Sequence, residues 1–79
     1  MEITTLVRMA NQIAAYFKSY PGDEAVAEIA KHLKSFWDPR MRHRLLRAID
    51  EPEISSRLDP MVVESVRRMS QHREGLGAP

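Results

Sequence analysis

Cysteine is absent from the 79 residues, which excludes disulfide staples, thiolate zinc sites and cysteine-held iron–sulfur clusters. Glycine occurs three times and never in a run, so no Gly-rich loop is present to cradle a phosphate. Aromatic residues number five, one Trp, two Tyr and two Phe, too few to line a base-stacking surface and also fill a core. No apolar run approaches the roughly 20 residues needed to span a bilayer. The opening "MEITTLVRMANQ" has no basic n-region, continuous apolar h-region or Ala-x-Ala site. The expectation is an untargeted, cytoplasmic protein without a membrane partner, and a reducing compartment agrees with the missing cysteine. A large excess of one charge is lacking too. Twelve Lys/Arg stand against eleven Asp/Glu, and the sequence pI of 8.2 is low for a dedicated nucleic-acid binder.

A chain this short holds one domain, whose core alone is expected to supply about 3–5 kcal/mol. With no disulfide to add, a partner is the first staple to look for, or a homodimer when the protein is isolated. The charges, balanced in total, are segregated along the chain. From Lys31 to Arg47 six Lys/Arg face one acid, Asp38, whereas from Asp50 to Asp59 four acids face Arg57. That asymmetry is the main electrostatic signal.

Apolar periodicity predicts an all-α fold, a small bundle of three to four helices over about residues 3–19, 24–37, 39–49 and 60–72. In the first, Ile3, Leu6, Val7, Ala10, Ile13, Ala14 and Phe17 fall within roughly 120° of arc. Met9, Tyr16 and Tyr20 run along one flank. Pro21 and Gly22 break that helix, and Asp23 is the expected N-cap of the second. The second buries Ala25, Val26, Ile29, Ala30, Leu33, Phe36 and Trp37. "WDPRM" and "LDPMV" then repeat one start signal, an Asp that caps and a Pro at the first helical position, where its missing N–H costs nothing. "DEPEISSR" between them reads as an acidic loop. Residues 1–73 form the single helical domain, and 74–79 form a flexible tail.

Four arginines lie within residues 40–47. On a helical wheel Arg40, Arg44 and Arg47 share one face with His43, a pattern that an ordinary solvated helix also produces. Arg42 differs, because it projects into the apolar arc beside Leu45 and Ile49. Its stem either snorkels to the surface or its guanidinium finds a carboxylate, a backbone carbonyl or a phosphate. Trp37 precedes this row, and Trp with Arg is a common anchor pair at interfaces. Asn11 and Gln12 lie outside the first helix's apolar stripe, so both are expected to face solvent, with Asn11 available to hydrogen-bond a partner. The alternative is a nucleic-acid contact through the Arg40/Arg44/Arg47 face. Against it, no Asn or Gln is interleaved to read base edges, and the second turn lacks the glycine frequent in helix-turn-helix motifs. His32, His43 and His72 have no metal-ligand spacing, and no nucleophile or carboxylate pair is singled out, so no enzyme acting alone is indicated.

Two segments, "LVRMANQIAAYF" (6–17) and "HLKSFWDPRMR" (32–42), carry a resemblance. The chain resembles the small delta subunit of cytoplasmic NAD-dependent, molybdenum-containing formate dehydrogenases, and "LDPMVVESVRRM" extends the likeness more loosely. The resemblance implies a non-catalytic accessory subunit or maturation factor with no redox centre of its own. Its implied partner is the large alpha subunit, which holds the bis-(molybdopterin guanine dinucleotide) cofactor and iron–sulfur clusters, together with the wider complex that passes electrons to NAD⁺ through FMN. No cofactor is expected to stay bound to this chain. A transient contact with bis-(molybdopterin guanine dinucleotide), or with a guanine nucleotide, is one use for its arginines. An acidic patch of the alpha subunit is the other. The residues assigned to that partner- or cofactor-binding surface are Asn11, His32, Trp37, Arg40, Arg42, Arg44 and Arg47.

Overall fold

A computed structural model of the chain describes residues 2–77, with side chains through Ser70. Five helices follow one another: α1 (Ile3–Tyr16), α2 (Gly22–Phe36), α3 (Pro39–Ala48), α4 (Pro52–Ser55) and α5 (Pro60–Gly77). No strand occurs among the described residues, so the all-α bundle read from periodicity is the fold. The division into a domain over 1–73 and a tail over 74–79 turns on residues outside those whose side chains are described.

The two Asp-Pro starts form as their chemistry requires. The Asp38 carboxylate accepts a hydrogen bond from the Met41 N–H at 3.0 Å, with Pro39 at the first helical position. Asp59 accepts one from the Met61 N–H at 2.9 Å. The other boundaries differ from expectation. α1 stops at Tyr16, and residues 17–20 continue as tight turns, with the Tyr20 N–H on the Phe17 carbonyl at 3.0 Å. Pro21 explains this: in a continuing helix its ring would clash with the Phe17 carbonyl four residues earlier, and it disfavours helical angles at Tyr20. Pro21 itself occupies the N-cap position of α2, so Asp23 is a first-turn acid and not the cap. The acidic loop contains a single helical turn, α4, opened by Pro52. It forms there because Ile54 packs against the core.

Leu6, Ile29, Leu33, Leu45 and Val62 are the large apolar side chains sealed at the centre. Ala10, Ala14, Ala25 and Ala48 are wholly buried and let the helix backbones approach closely. α2 packs most extensively against α5, whereas its contact with α1 is sparse. Among the described residues Ser65 is the buried polar side chain. Its hydroxyl lies 2.9 Å from the Val26 carbonyl and 2.7 Å from the Met61 carbonyl, satisfied at the α2–α5 seam.

The "Phe36–Trp37" pair separates. Trp37 is buried at 5% exposure, whereas Phe36, expected in the core, is 74% exposed. The helix ends between them: Trp37 has extended backbone angles (φ −91°, ψ 137°), and its ring swings into the core while Phe36 is left on the outside.

Candidate partner-binding surface

The sparse α1–α2 contact leaves an open groove of about 420 Å³. α1 contributes Met9, Gln12, Ile13, Tyr16 and Phe17 to its walls, α2 contributes His32 and Phe36, and Trp37 and Met41 close it at the corner leading into α3. The α1 residues Met9, Ile13 and Tyr16 recur at helical steps of four and three, as do His32 and Phe36 at four, so two rows of side chains face each other along the channel.

Aromatic contacts hold one wall. The His32 ring lies 4.6 Å from that of Phe36 and 6.3 Å from that of Phe17, and Phe17 meets Tyr16 edge-on at 4.9 Å and Tyr20 at 5.3 Å. Phe17 is buried, but Tyr16 is 76% exposed. Two large aromatic faces thus remain in water on either side of a groove whose other walls are mostly apolar. Single exposed apolar residues are ordinary; a contiguous set around a concavity marks an interaction surface.

The residues expected to form the site are divided by the fold. His32 and Trp37 line the groove. Arg40 and Arg47 are exposed on α3, with no ion pair among the described residues. Arg42 turns inward instead of presenting its charge. One guanidinium nitrogen, Nη1, donates to the Trp37 carbonyl at 2.6 Å and the Lys34 carbonyl at 3.1 Å. These carbonyls stand at the end of α2, where the helix supplies no partners, and a cation is favoured there by the helix dipole. Of the three partners open to Arg42, the backbone carbonyl is the one used.

Arg44 also turns to an internal partner. Its Nη2 is 3.2 Å from the Glu51 carboxylate, both side chains being partly exposed, and its Nη1 is buried with no hydrogen-bond partner. The acidic segment that follows α3 therefore folds back on the basic one. Asn11 is not turned to solvent as expected. Its amide N–H donates to the Arg57 carbonyl at 2.9 Å, and its amide oxygen accepts from the Asp59 N–H at 2.8 Å. Asn11 brackets α1 to the turn before α5. Gln12 is exposed as expected, but on the groove rim.

Met9, Ile13, Tyr16, Phe36 and Met41 were not among the expected site residues. One signal for them exists in the sequence: the Met9/Tyr16/Tyr20 flank widens the apolar face of α1 beyond what one core contact uses. Among the described residues no cluster of three or more His, Cys, Asp or Glu is placed to hold a metal. The groove has Gln12 and His32 as its polar lining, without a set of donors converging on a phosphate. Its chemistry suits an apolar protein surface.

Residues 5–66 match the family model described as NADH-dependent formate dehydrogenase delta subunit, FdsD. The matched span contains every groove residue and all of α3 and α4. No curated protein and no solved structure gives a significant match.

Proposed function

The chain belongs to the family of NADH-dependent formate dehydrogenase delta subunits, and we propose that it is a non-catalytic accessory subunit that docks on the large alpha subunit through the α1–α2 groove. A subunit of this kind acts in the cytoplasm by stabilising or maturing the enzyme that holds the molybdenum cofactor. The observation that carries the reading is Phe36. A phenylalanine at 74% exposure in the wall of a 420 Å³ apolar groove adds nothing to the core, its ring contact being with His32 at the surface. Its burial by a partner is worth at most about 1.5–3 kcal/mol before the costs of association.

The arginines supply a smaller part of the surface than their spacing suggests. With Arg42 capping α2 and Arg44 paired to Glu51, the free cations of α3 are Arg40 and Arg47 among the described residues. A transient contact with the cofactor's phosphates would fall to those two. The same loss weakens the nucleic-acid reading, which relied on Arg40, Arg44 and Arg47 as one unbroken phosphate row.

The test is affinity purification of the tagged chain from its host grown on formate, alongside Phe36→Asp. The expected result is a large molybdenum-containing subunit at fixed ratio with the native chain, absent with Phe36→Asp, while circular dichroism of the free variant stays unchanged and its unfolding free energy falls by only about 0.3–1 kcal/mol, the cost of an acid at the C-terminal end of α2. Undiminished co-purification by a folded Phe36→Asp protein would remove the groove from the interface.

A further inference from the structure

Resting on the docking role just proposed, the geometry points to one kind of occupant for the groove: an amphipathic helix of the partner with an apolar face and acidic flanks. The walls select the helix. Met9, Ile13 and Tyr16 on α1 and His32 and Phe36 on α2 line one channel, so it is a furrow between two helices that touch sparsely. A third helix seats in such a furrow by setting apolar side chains at i, i+3 or i+4, and i+7 between the rows. An extended segment has no edge to pair with, since no strand occurs among the described residues.

The segment that carries the α2–α3 side of the groove selects the charge. Groove residues His32, Phe36, Trp37 and Met41 all belong to the stretch 31–47, which holds six Lys/Arg and a single acid. That acid, Asp38, accepts the Met41 N–H as the α3 cap. Arg42 and Arg44 are engaged internally, which leaves Lys31, Lys34, Arg40 and Arg47 exposed and without ion pairs among the described residues. Lys31 and Arg40 directly precede the groove residues His32 and Met41. Glu28, one turn before His32 and so on the same face of α2, is the acid at that end of the groove, set against the four exposed cations of 31–47. An apolar helix with Asp or Glu on its flanks meets both requirements. A second copy of this chain does not: a two-fold contact through this patch would set one concave groove against another, with no helix to seat in either.

The experiment places the photo-crosslinker p-benzoylphenylalanine at position 36 of the full tagged chain, expressed in the formate-grown host. A control carries the crosslinker at position 53, exposed on α4 and outside the groove. After irradiation, adducts are mapped by peptide mass spectrometry. The expected result is one adduct site from position 36, absent from position 53, in an enzyme subunit segment with apolar residues at helical spacing and Asp or Glu beside them. An adduct to an enzyme subunit segment that is uncharged or basic would overturn the acidic helix and leave the accessory role standing. An adduct to a second copy, or none at position 36 while the complex still co-purifies, would overturn the groove as the partner's seat. Adducts confined to proteins outside the enzyme would overturn both readings. A second measurement uses the double variant Arg40→Glu, Arg47→Glu. It is expected to associate about tenfold more slowly at low salt, with the difference closing as salt rises; equal rates for variant and native chain would remove the charge term.

Discussion

The guanidinium of Arg42 is half-buried and donates to two carbonyls that the end of α2 leaves without helical partners. Truncation removes a charged donor and leaves the part-buried Trp37 carbonyl without it, while the exposed Lys34 carbonyl turns to water. Arg42→Ala is therefore expected to lower the unfolding free energy by about 1–3 kcal/mol, whereas Arg40→Ala, with no internal partner, should stay within about 0.5 kcal/mol. Urea titration of both variants checks the contrast, and equal midpoints would refute the capping role. Asn11 offers a parallel case, since its amide serves both a donor and an acceptor of the 57–59 turn. Asn11→Ala should cost about 1–3 kcal/mol, and Asn11→Asp should recover little of it. The carboxylate keeps the acceptor for the Asp59 N–H but loses the donor to Arg57 and sets a like charge near Asp59. The demand for a partner at Arg42 was legible from the wheel, because the side chain fell inside an apolar arc. Which partner it takes was not. That depends on the angle between α2 and α3, which no local pattern encodes. Asn11 was misread for the same reason: its partners lie more than forty residues away.

At the scale of the helices, what is locally determined was the readable part. Asp38-Pro39 and Asp59-Pro60 specify their starts within four residues, and both caps form. Asp38→Ala should cost about 1 kcal/mol, the usual value for losing an N-cap. It should also loosen the α2–α3 corner that places Trp37, so the tryptophan fluorescence of the folded variant should shift to the red. An unshifted spectrum with lowered stability would confine the effect to the cap. Gly22 points the other way. It sits in the first turn of α2, and a Cβ built there meets nothing within 4 Å. Gly22→Ala is expected to raise stability by about 0.5 kcal/mol, through the smaller conformational freedom of the unfolded chain. Helix ends were less legible than starts. The halt of α1 at Tyr16 and the single turn of α4 are set by Pro21 and by the seat that Ile54 finds on the core. The Phe36–Trp37 split follows from where α2 stops, and periodicity alone assigns both rings inward.

At the scale of the whole molecule, the groove was partly legible: the Met9/Tyr16/Tyr20 flank widened the apolar face of α1, but the exposed Phe36 opposite it was read as core. The groove arises because α2 gives most of its packing to α5 and little to α1, so two aromatic side chains remain in water. For a domain this small, covering such a surface adds appreciably to a modest intrinsic stability. A partner that binds only the folded state at a free concentration of 100 times its dissociation constant adds about 2.7 kcal/mol. The chain should therefore resist hydrogen exchange and urea far better in the presence of enzyme lacking this subunit than alone. Protection should be gained mainly in the α1 and α2 amides that flank the groove. Phe36→Asp should abolish the gain while lowering the free protein's own stability by no more than about 1 kcal/mol, because the ring it removes packs little in the isolated fold and the acid stands at the end of α2. Equal protection of native and variant chains by the enzyme would mean that another face carries the contact. Protection spread evenly over α4 and α5 would place that face on the side away from the groove.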